Sequence, residues 1–117
     1  MSDAAEILAE HKAAAERALD AAAGSSSLCT LSRSGKPMPG IKYPEGAWVA
    51  LREVELVSVG GSIIEACAHV RGRWAAEVER HAAQNSGPDW IAYSTGGLDA
   101  VDALAEALRA PKDMEAI

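Results

Sequence analysis

Phenylalanine is absent from this sequence of 117 residues, which holds only three tryptophans and two tyrosines beside a large excess of alanine. A core built mainly on aromatic rings is therefore excluded, and small and aliphatic side chains must fill it. Small side chains let helices approach one another closely, which favours helix-on-helix packing. A chain of this length fits one hydrophobic core, and we predict a single domain over residues 1–117.

Basic residues and long hydrophobic runs are also scarce. Eleven basic residues against 17 acidic ones give a formal net charge of -6, which argues against broad duplex binding because such binding depends on clustered Lys and Arg. No apolar stretch approaches the roughly 18 residues of a membrane span, and the N-terminus lacks the basic-then-apolar pattern of a targeting signal. We expect a cytoplasmic protein that contacts neither nucleic acid nor a membrane.

Cysteine and histidine are too few and too scattered to predict a metal site. Cys29 and Cys67 form no Cys-x-x-Cys pair, and a tetrahedral zinc site needs three or four convergent ligands. The three histidines fall on different elements or different faces: His11, His69 and His81. We therefore predict no metal and no cofactor, and we expect both thiols to be reduced and buried.

The two ends of the chain are predicted to be helical. Asp3 and Glu6 have the spacing of a helix start, apolar residues follow at helical intervals, and Gly24 supplies the stop. The C-terminal helix begins near Leu98 and is ended by Pro111. Its polar face carries three carboxylates: Asp99, Asp102 and Glu106. Such a face is usually solvated, although it could also contact a basic partner or a second copy of the chain.

The clearest predicted element is the helix over residues 62–84. Ser62 and Glu65 form a capping box, and the apolar residues behind them recur at spacings of three and four. Trp74 belongs to this apolar stripe, and we predict that it lies in the core. We predict that this helix is the central strut of the bundle. Arg73 and Glu77 have the i, i+4 spacing of a weakly stabilising ion pair.

Two segments are ambiguous by pattern alone. Residues 45–58 combine helical spacing with several valines, which favour a strand, and we predict a helix that ends at Gly60-Gly61. Residues 88–97 begin with Pro and Asp and reach Gly96-Gly97. We interpret them as a short helical turn or a short extended piece that precedes the C-terminal helix.

Residues 25–44 are predicted to form a long irregular loop or a loose hairpin. The stretch from residue 30 to residue 43 contains Arg33, Lys36 and Lys42 but no acidic residue. A connection this long with little regular structure is more often functional than accidental. A two-stranded hairpin within 27–43, with residues 28–33 against residues 40–43, would make the fold α+β.

Together these patterns predict a mainly α fold, a bundle of about four helices with an irregular basic loop. The function that we favour is a non-enzymatic protein-interaction module, either a small regulatory, inhibitory or structural subunit or a dimer. We expect one of the three tryptophans to be exposed. Exposed tryptophan is a natural interface anchor, and Met adapts to apolar surfaces. The candidate partner-binding residues are Arg33, Lys36, Met38, Lys42, Trp48 and Trp90. The alternative is a small-molecule or anion-binding enzyme that uses the basic loop with Cys29 and a histidine.

Overall fold

Four helices make up the part of the chain that the computed structural model describes, residues 3–24 and 39–109. They are α1 (Ala4–Ala23), α2 (Pro39–Val57), α3 (Ile63–Gln84) and α4 (Pro88–Arg109). The prediction of a mainly α bundle of about four helices is confirmed. None of these helices is long and apolar enough to cross a bilayer.

Both predicted helix starts are confirmed by their capping hydrogen bonds. The Asp3 carboxylate accepts the backbone N–H of Glu6 at 2.9 Å, and Gly24 ends α1 with a φ of 62°. The Ser62 hydroxyl accepts the backbone N–H of Glu65 at 3.2 Å. These bonds satisfy amides that have no partner within their own helix, so the local sequence alone sets both boundaries.

Helix α2 begins earlier than the sequence predicts. Residues 39–44, which we assigned to the basic loop, form its first turns, so residues 40–43 are not the strand of a hairpin. Pro39 suits the first helical position because its missing N–H would have no partner there. Pro44 lies inside the helix and is buried. The rest of the predicted loop, residues 25–38, lies outside the described residues.

Helix α4 runs through the glycine pair that we expected to end a short segment. Gly96 and Gly97 are buried inside it, and their missing side chains allow close packing. A Cβ atom on Gly96 would lie 2.0 Å from the carbonyl oxygen of Tyr43, and one on Gly97 would lie 2.2 Å from the ring of Trp74. The glycines therefore mark where α4 contacts its neighbours rather than where it stops.

One hydrophobic core joins the four helices, and α2 and α4 rather than α3 are its central elements. Helix α2 makes the most extensive contacts with α4 and also holds α1, whereas α1 scarcely touches α3. The prediction of α3 as the central strut is therefore wrong, although its boundaries are right. The core consists mainly of Ala, Val and Leu with one tryptophan: Leu8, Ala15, Ala50, Leu51, Val54, Ala66, Cys67, Val70, Trp74, Val101 and Leu104.

Candidate functional site

Four aromatic rings from α3 and α4 contact one another at one end of the bundle. The rings of Trp74 and Tyr93 lie 5.4 Å apart, and those of Tyr93 and Trp90 lie 6.1 Å apart in an edge-to-face arrangement. The ring of His81 stacks on Trp90 at 5.7 Å with 17° between the planes. These separations fall within the range at which ring pairs attract one another. The cluster therefore fixes Trp90, although 56 % of that residue is exposed.

Helix spacing explains how the cluster is assembled. Trp74 and His81 are seven residues apart, about two turns of α3, and therefore share one face. Trp90 and Tyr93 are three residues apart on α4, which also puts them side by side. Gly97 lets the two helices approach, because the Trp74 ring occupies the space that a side chain there would need.

A groove of about 450 Å³ opens between α2, α3 and α4 along this cluster. We call it the aromatic groove. Three of the four rings supply its apolar wall. His81 and charged side chains from α2 and α3 also line it, and we call these groups its rim. Its lining residues are Val49, Glu53, Arg73, Trp74, Glu77, Arg80, His81, Trp90, Tyr93 and Ser94.

The charged groups of the aromatic groove are paired with one another. Arg73 donates to the carboxylate of Glu53 on α2, so the predicted pairing of Arg73 with Glu77 is wrong. Glu77 instead accepts from Arg80, and this hydrogen bond is the main reason why the pKa of Glu77 lies below its usual value. The Nε2 atom of His81 lies 3.3 Å from the same carboxylate. The rim is therefore close to neutral overall.

His81 is also held by the residues that end α3. Its Nδ1 atom lies 2.9 Å from the Ser86 hydroxyl, and Ser86 donates its backbone N–H to the His81 carbonyl at 3.1 Å. Asn85 caps the helix in the left-handed conformation, with a φ of 51°. With both ring nitrogens engaged and one face on Trp90, the imidazole serves as a positioning group for that indole.

A second, smaller groove of about 300 Å³ is lined partly by Trp90 and Tyr93, which also line the aromatic groove. Its other lining residues come from the starts of α2 and α4: Lys42, Glu45 and Asp89. Lys42 and Glu45 form an ion pair at 3.0 Å.

Burial, followed by the negative charges of Glu45 and Glu53, raises the pKa of Tyr93, so its hydroxyl stays protonated at neutral pH.

The structure brings together two of the predicted partner-binding residues. Trp90 and Lys42 line the same small groove, and Trp90 is the exposed tryptophan that the sequence led us to expect among the three. Trp48 lies elsewhere, with the Arg52 guanidinium 5.7 Å from its ring centre, and its buried Nε1 has no hydrogen-bond partner among residues 3–24 and 39–109. Arg33, Lys36 and Met38 lie outside the described residues.

Sequence reasoning did not assign site roles to Tyr93 or to the two arginines of α3 that line the groove, Arg73 and Arg80. The sequence does contain a signal for the aromatic cluster. By spacing, Trp74 and His81 share one helical face, and Trp90 and Tyr93 share another. Which two faces meet depends on the packing of α3 against α4. The sequence alone does not give that packing.

In the described part of the chain, neither Cys67 nor Ser94 is placed as a nucleophile. The thiol of Cys67 is buried in the core, donates to the Val101 carbonyl at 3.5 Å, and has its pKa raised chiefly by burial. The Ser94 hydroxyl donates to the Trp90 carbonyl at 2.9 Å within α4. Among these residues, no three His, Cys, Asp or Glu side chains lie close enough to hold a metal ion. Cys29 lies outside the described residues.

On the predicted acidic face of α4, two of the three carboxylates are paired with arginines and the remaining one accepts a hydrogen bond from a tyrosine. The Tyr43 hydroxyl donates to the Asp99 carboxylate at 2.5 Å, and this bond is the main cause that raises the pKa of Tyr43 to about 12. Arg71 donates to Asp102 at 2.5 Å. The third carboxylate, Glu106, pairs with Arg109. These contacts remove much of the charge that a basic partner would need.

A second exposed apolar surface surrounds the connection from α2 to α3. It consists of four aliphatic residues, and we call it the aliphatic turn: Leu56, Val57, Val59 and Ile64. Gly60, with a φ of 77°, turns the backbone between them. Unlike the aromatic groove, this surface contains no ring.

Comparisons with known proteins found no matching family model and no significant similarity to a curated protein or to a solved structure.

Proposed function

We propose that this chain is a non-enzymatic protein-interaction module that binds its partner in the aromatic groove, with Trp90 as the central anchor. The observation that carries the proposal is the geometry of Trp90, which is 56 % exposed yet stacked on His81 and held edge-to-face by Tyr93. Tryptophan is enriched among the few residues that supply most of the binding energy of an interface. The partner is another protein or a second copy of this chain.

Preorganisation supports this role. A side chain that is already fixed in the free protein loses little conformational entropy when a partner covers it, and binding is tighter for that reason. Trp90 is fixed from two sides, and His81 is itself held by Glu77 and Ser86. An exposed aliphatic side chain would still have to be ordered by the partner.

The hydrogen bonds of the groove also bear on catalysis. The Ser94 hydroxyl is bonded to the backbone of its own helix, so it is not directed at a substrate. His81 lies between the Ser86 hydroxyl and the Glu77 carboxylate, an order that also occurs where a histidine acts as a base. The groove volume of about 450 Å³ supports the alternative function. That alternative is an enzyme that would use the basic loop with Cys29 and a histidine. That volume falls within the range of small-molecule pockets.

The proposed partner surface extends from Trp90 to Lys42 in the smaller groove, and to Arg33, Lys36 and Met38, which precede α2 in the chain. The proposal also keeps the cytoplasmic location that the sequence favours. Its predicted consequence for the loop is that the double substitution Arg33→Glu with Lys36→Glu abolishes partner binding and leaves the melting temperature nearly unchanged. If binding is unchanged, the loop is not part of the partner surface. The role proposed for Trp90 would not be affected by that result.

The test of the central anchor compares two variants of matched exposure. Trp90→Ala and Ile64→Ala each remove an exposed apolar side chain, since the two residues are 56 % and 57 % exposed. We expect Trp90→Ala to weaken binding of the captured partner, or self-association measured by light scattering, by at least about thirtyfold. Ile64→Ala should leave binding within about twofold. Equal binding by the wild type and Trp90→Ala would contradict the proposal.

A further inference from the structure

The polar groups of the aromatic groove restrict the chemistry of what it can hold. Its five charged or titratable rim groups already contact one another: Glu53 with Arg73, and Glu77 with Arg80 and His81. A charged occupant of either sign would have to break one of these pairs or lie unpaired beside it. Because both pairs are partly exposed to solvent, breaking one costs only a modest amount of binding energy. An uncharged occupant meets neither cost.

Tyr93 provides one directed polar contact in this neutral site. Within the described part of the chain, no side chain or backbone group forms a hydrogen bond with its hydroxyl. Its raised pKa, caused first by burial and then by Glu45 and Glu53, keeps the phenol protonated and able to donate. The same two carboxylates repel an anionic acceptor. The best acceptor for this O–H group is therefore a neutral carbonyl.

The wall of the groove favours a ring. Trp74, Trp90 and Tyr93 contact one another in tilted and edge-to-face arrangements. Another aromatic ring can extend such a cluster, because ring pairs are stabilised beyond the area that they bury. An aliphatic group would gain only the stabilisation that comes from burying its apolar surface.

We infer that the occupant of the aromatic groove is an uncharged aromatic side chain of a partner polypeptide, with a backbone carbonyl of the same segment accepting from Tyr93. This inference rests on the proposed function, and it specifies the chemistry of the partner. Binding at this site depends on ring contacts and one neutral hydrogen bond. It is therefore nearly independent of ionic strength, unlike binding through exposed charges.

Three small probes with the same ring test the inference. N-acetyl-tryptophanamide is neutral and has peptide carbonyls, indole-3-propionate is an anion, and tryptamine is a cation. Each is titrated at pH 7, at low and at high salt, into the full chain labelled with ¹⁵N. The measured signals are the Trp90 indole N–H and the backbone amides of residues 73–81 and 90–94.

We expect the neutral probe to bind at least about threefold more tightly than either charged probe, with less than about twofold change between the two salt concentrations. Tyr93→Phe should weaken the neutral probe about threefold to tenfold, the range for one hydrogen bond. Tyr43→Phe is the matched control because it removes a hydroxyl that bonds to Asp99 outside the groove. It should leave probe binding unchanged.

Three outcomes would overturn the inference about the occupant. If a charged probe binds as tightly as the neutral one at these residues, or if Tyr93→Phe has no effect, the groove is a binding site for other chemistry and the proposed function stands. If no probe moves the signals of the groove, the inference fails. The comparison of Trp90→Ala with Ile64→Ala then judges the proposed function separately.

Discussion

The aromatic groove and the aliphatic turn both expose large apolar side chains, but they are built differently. Trp90 in the groove is exposed to almost the same extent as Ile64 in the turn. Trp90 lies against two other rings, and one of these is held in turn by a carboxylate and a hydroxyl. Ile64 lies at the start of α3, beside a connection that includes Gly60 with its positive φ.

The difference shows that exposed apolar area does not by itself identify a binding surface. Single exposed hydrophobic residues are common on soluble proteins. What distinguishes the groove is that its geometry exists before a partner arrives, so that less ordering entropy opposes binding. The predictions below test whether this prior order is real and whether the turn lacks it.

The largest expected effect is that of Trp74→Ala, which removes the base of the aromatic cluster. Trp74 is 7 % exposed and fills the space above Gly97. We expect the free energy of unfolding to fall by about 3–5 kcal/mol because a large cavity is left in the core. Ile64→Ala, the control in the aliphatic turn, should cost less than about 1 kcal/mol. Urea denaturation of both variants measures this difference, and equal losses would show that the groove is no better packed than the turn.

An intermediate effect is expected for the glycine that lets α2 approach α4. A Cβ atom on Gly46 would lie 1.9 Å from the carbonyl oxygen of Tyr93, whereas one on Gly61 would meet nothing within 4 Å. We expect Gly46→Ala to destabilise the fold by about 1–3 kcal/mol, because the backbones must separate. Gly61→Ala should change stability by less than about 0.5 kcal/mol. Thermal unfolding of the two variants and the wild type measures these losses of stability. A Gly46→Ala variant as stable as the wild type would refute the close approach of α2 to α4.

The smallest effect is expected for the hydrogen bond between Tyr43 and Asp99 at the same helix contact. Tyr43→Phe should cost less than about 1 kcal/mol at neutral pH, because the pair is exposed. The pKa of Tyr43 is raised to about 12 in the folded state, against about 10 for an unfolded tyrosine. Its contribution to stability is therefore complete below pH 10 and is lost as the pH rises through 12.

Denaturation as a function of pH checks this sign. The wild type should lose more stability than Tyr43→Phe between about pH 10 and pH 12, since only the wild type has this phenol to ionise. Parallel pH profiles for the two proteins would show that the hydrogen bond contributes nothing in solution.

The sequence predicted those features that depend on near neighbours in the chain. The Ser62–Glu65 and Asp3–Glu6 patterns located two helix starts, because a capping side chain bonds to an amide only three residues away. The spacing of apolar residues in α3 also placed Trp74 in the core, where the structure has it.

Features that depend on packing could not be predicted in this way. A glycine pair such as Gly96-Gly97 is compatible with a helix end and with a close helix contact, and only the neighbouring helix decides between them. For the same reason Arg73 pairs with Glu53 on another helix rather than with Glu77. The aromatic groove combines three helices, and no short stretch of sequence contains it.

The most direct test of the central claim is a footprint of the bound partner on the wild-type protein. Hydrogen–deuterium exchange is compared for the free chain and for its complex with the captured partner, or for dilute and concentrated protein if the chain binds itself. The account predicts slower exchange in residues 73–81 and 90–94 and no change in residues 56–64. Protection confined to residues 56–64, with residues 90–94 unchanged, would contradict it and assign binding to the aliphatic turn.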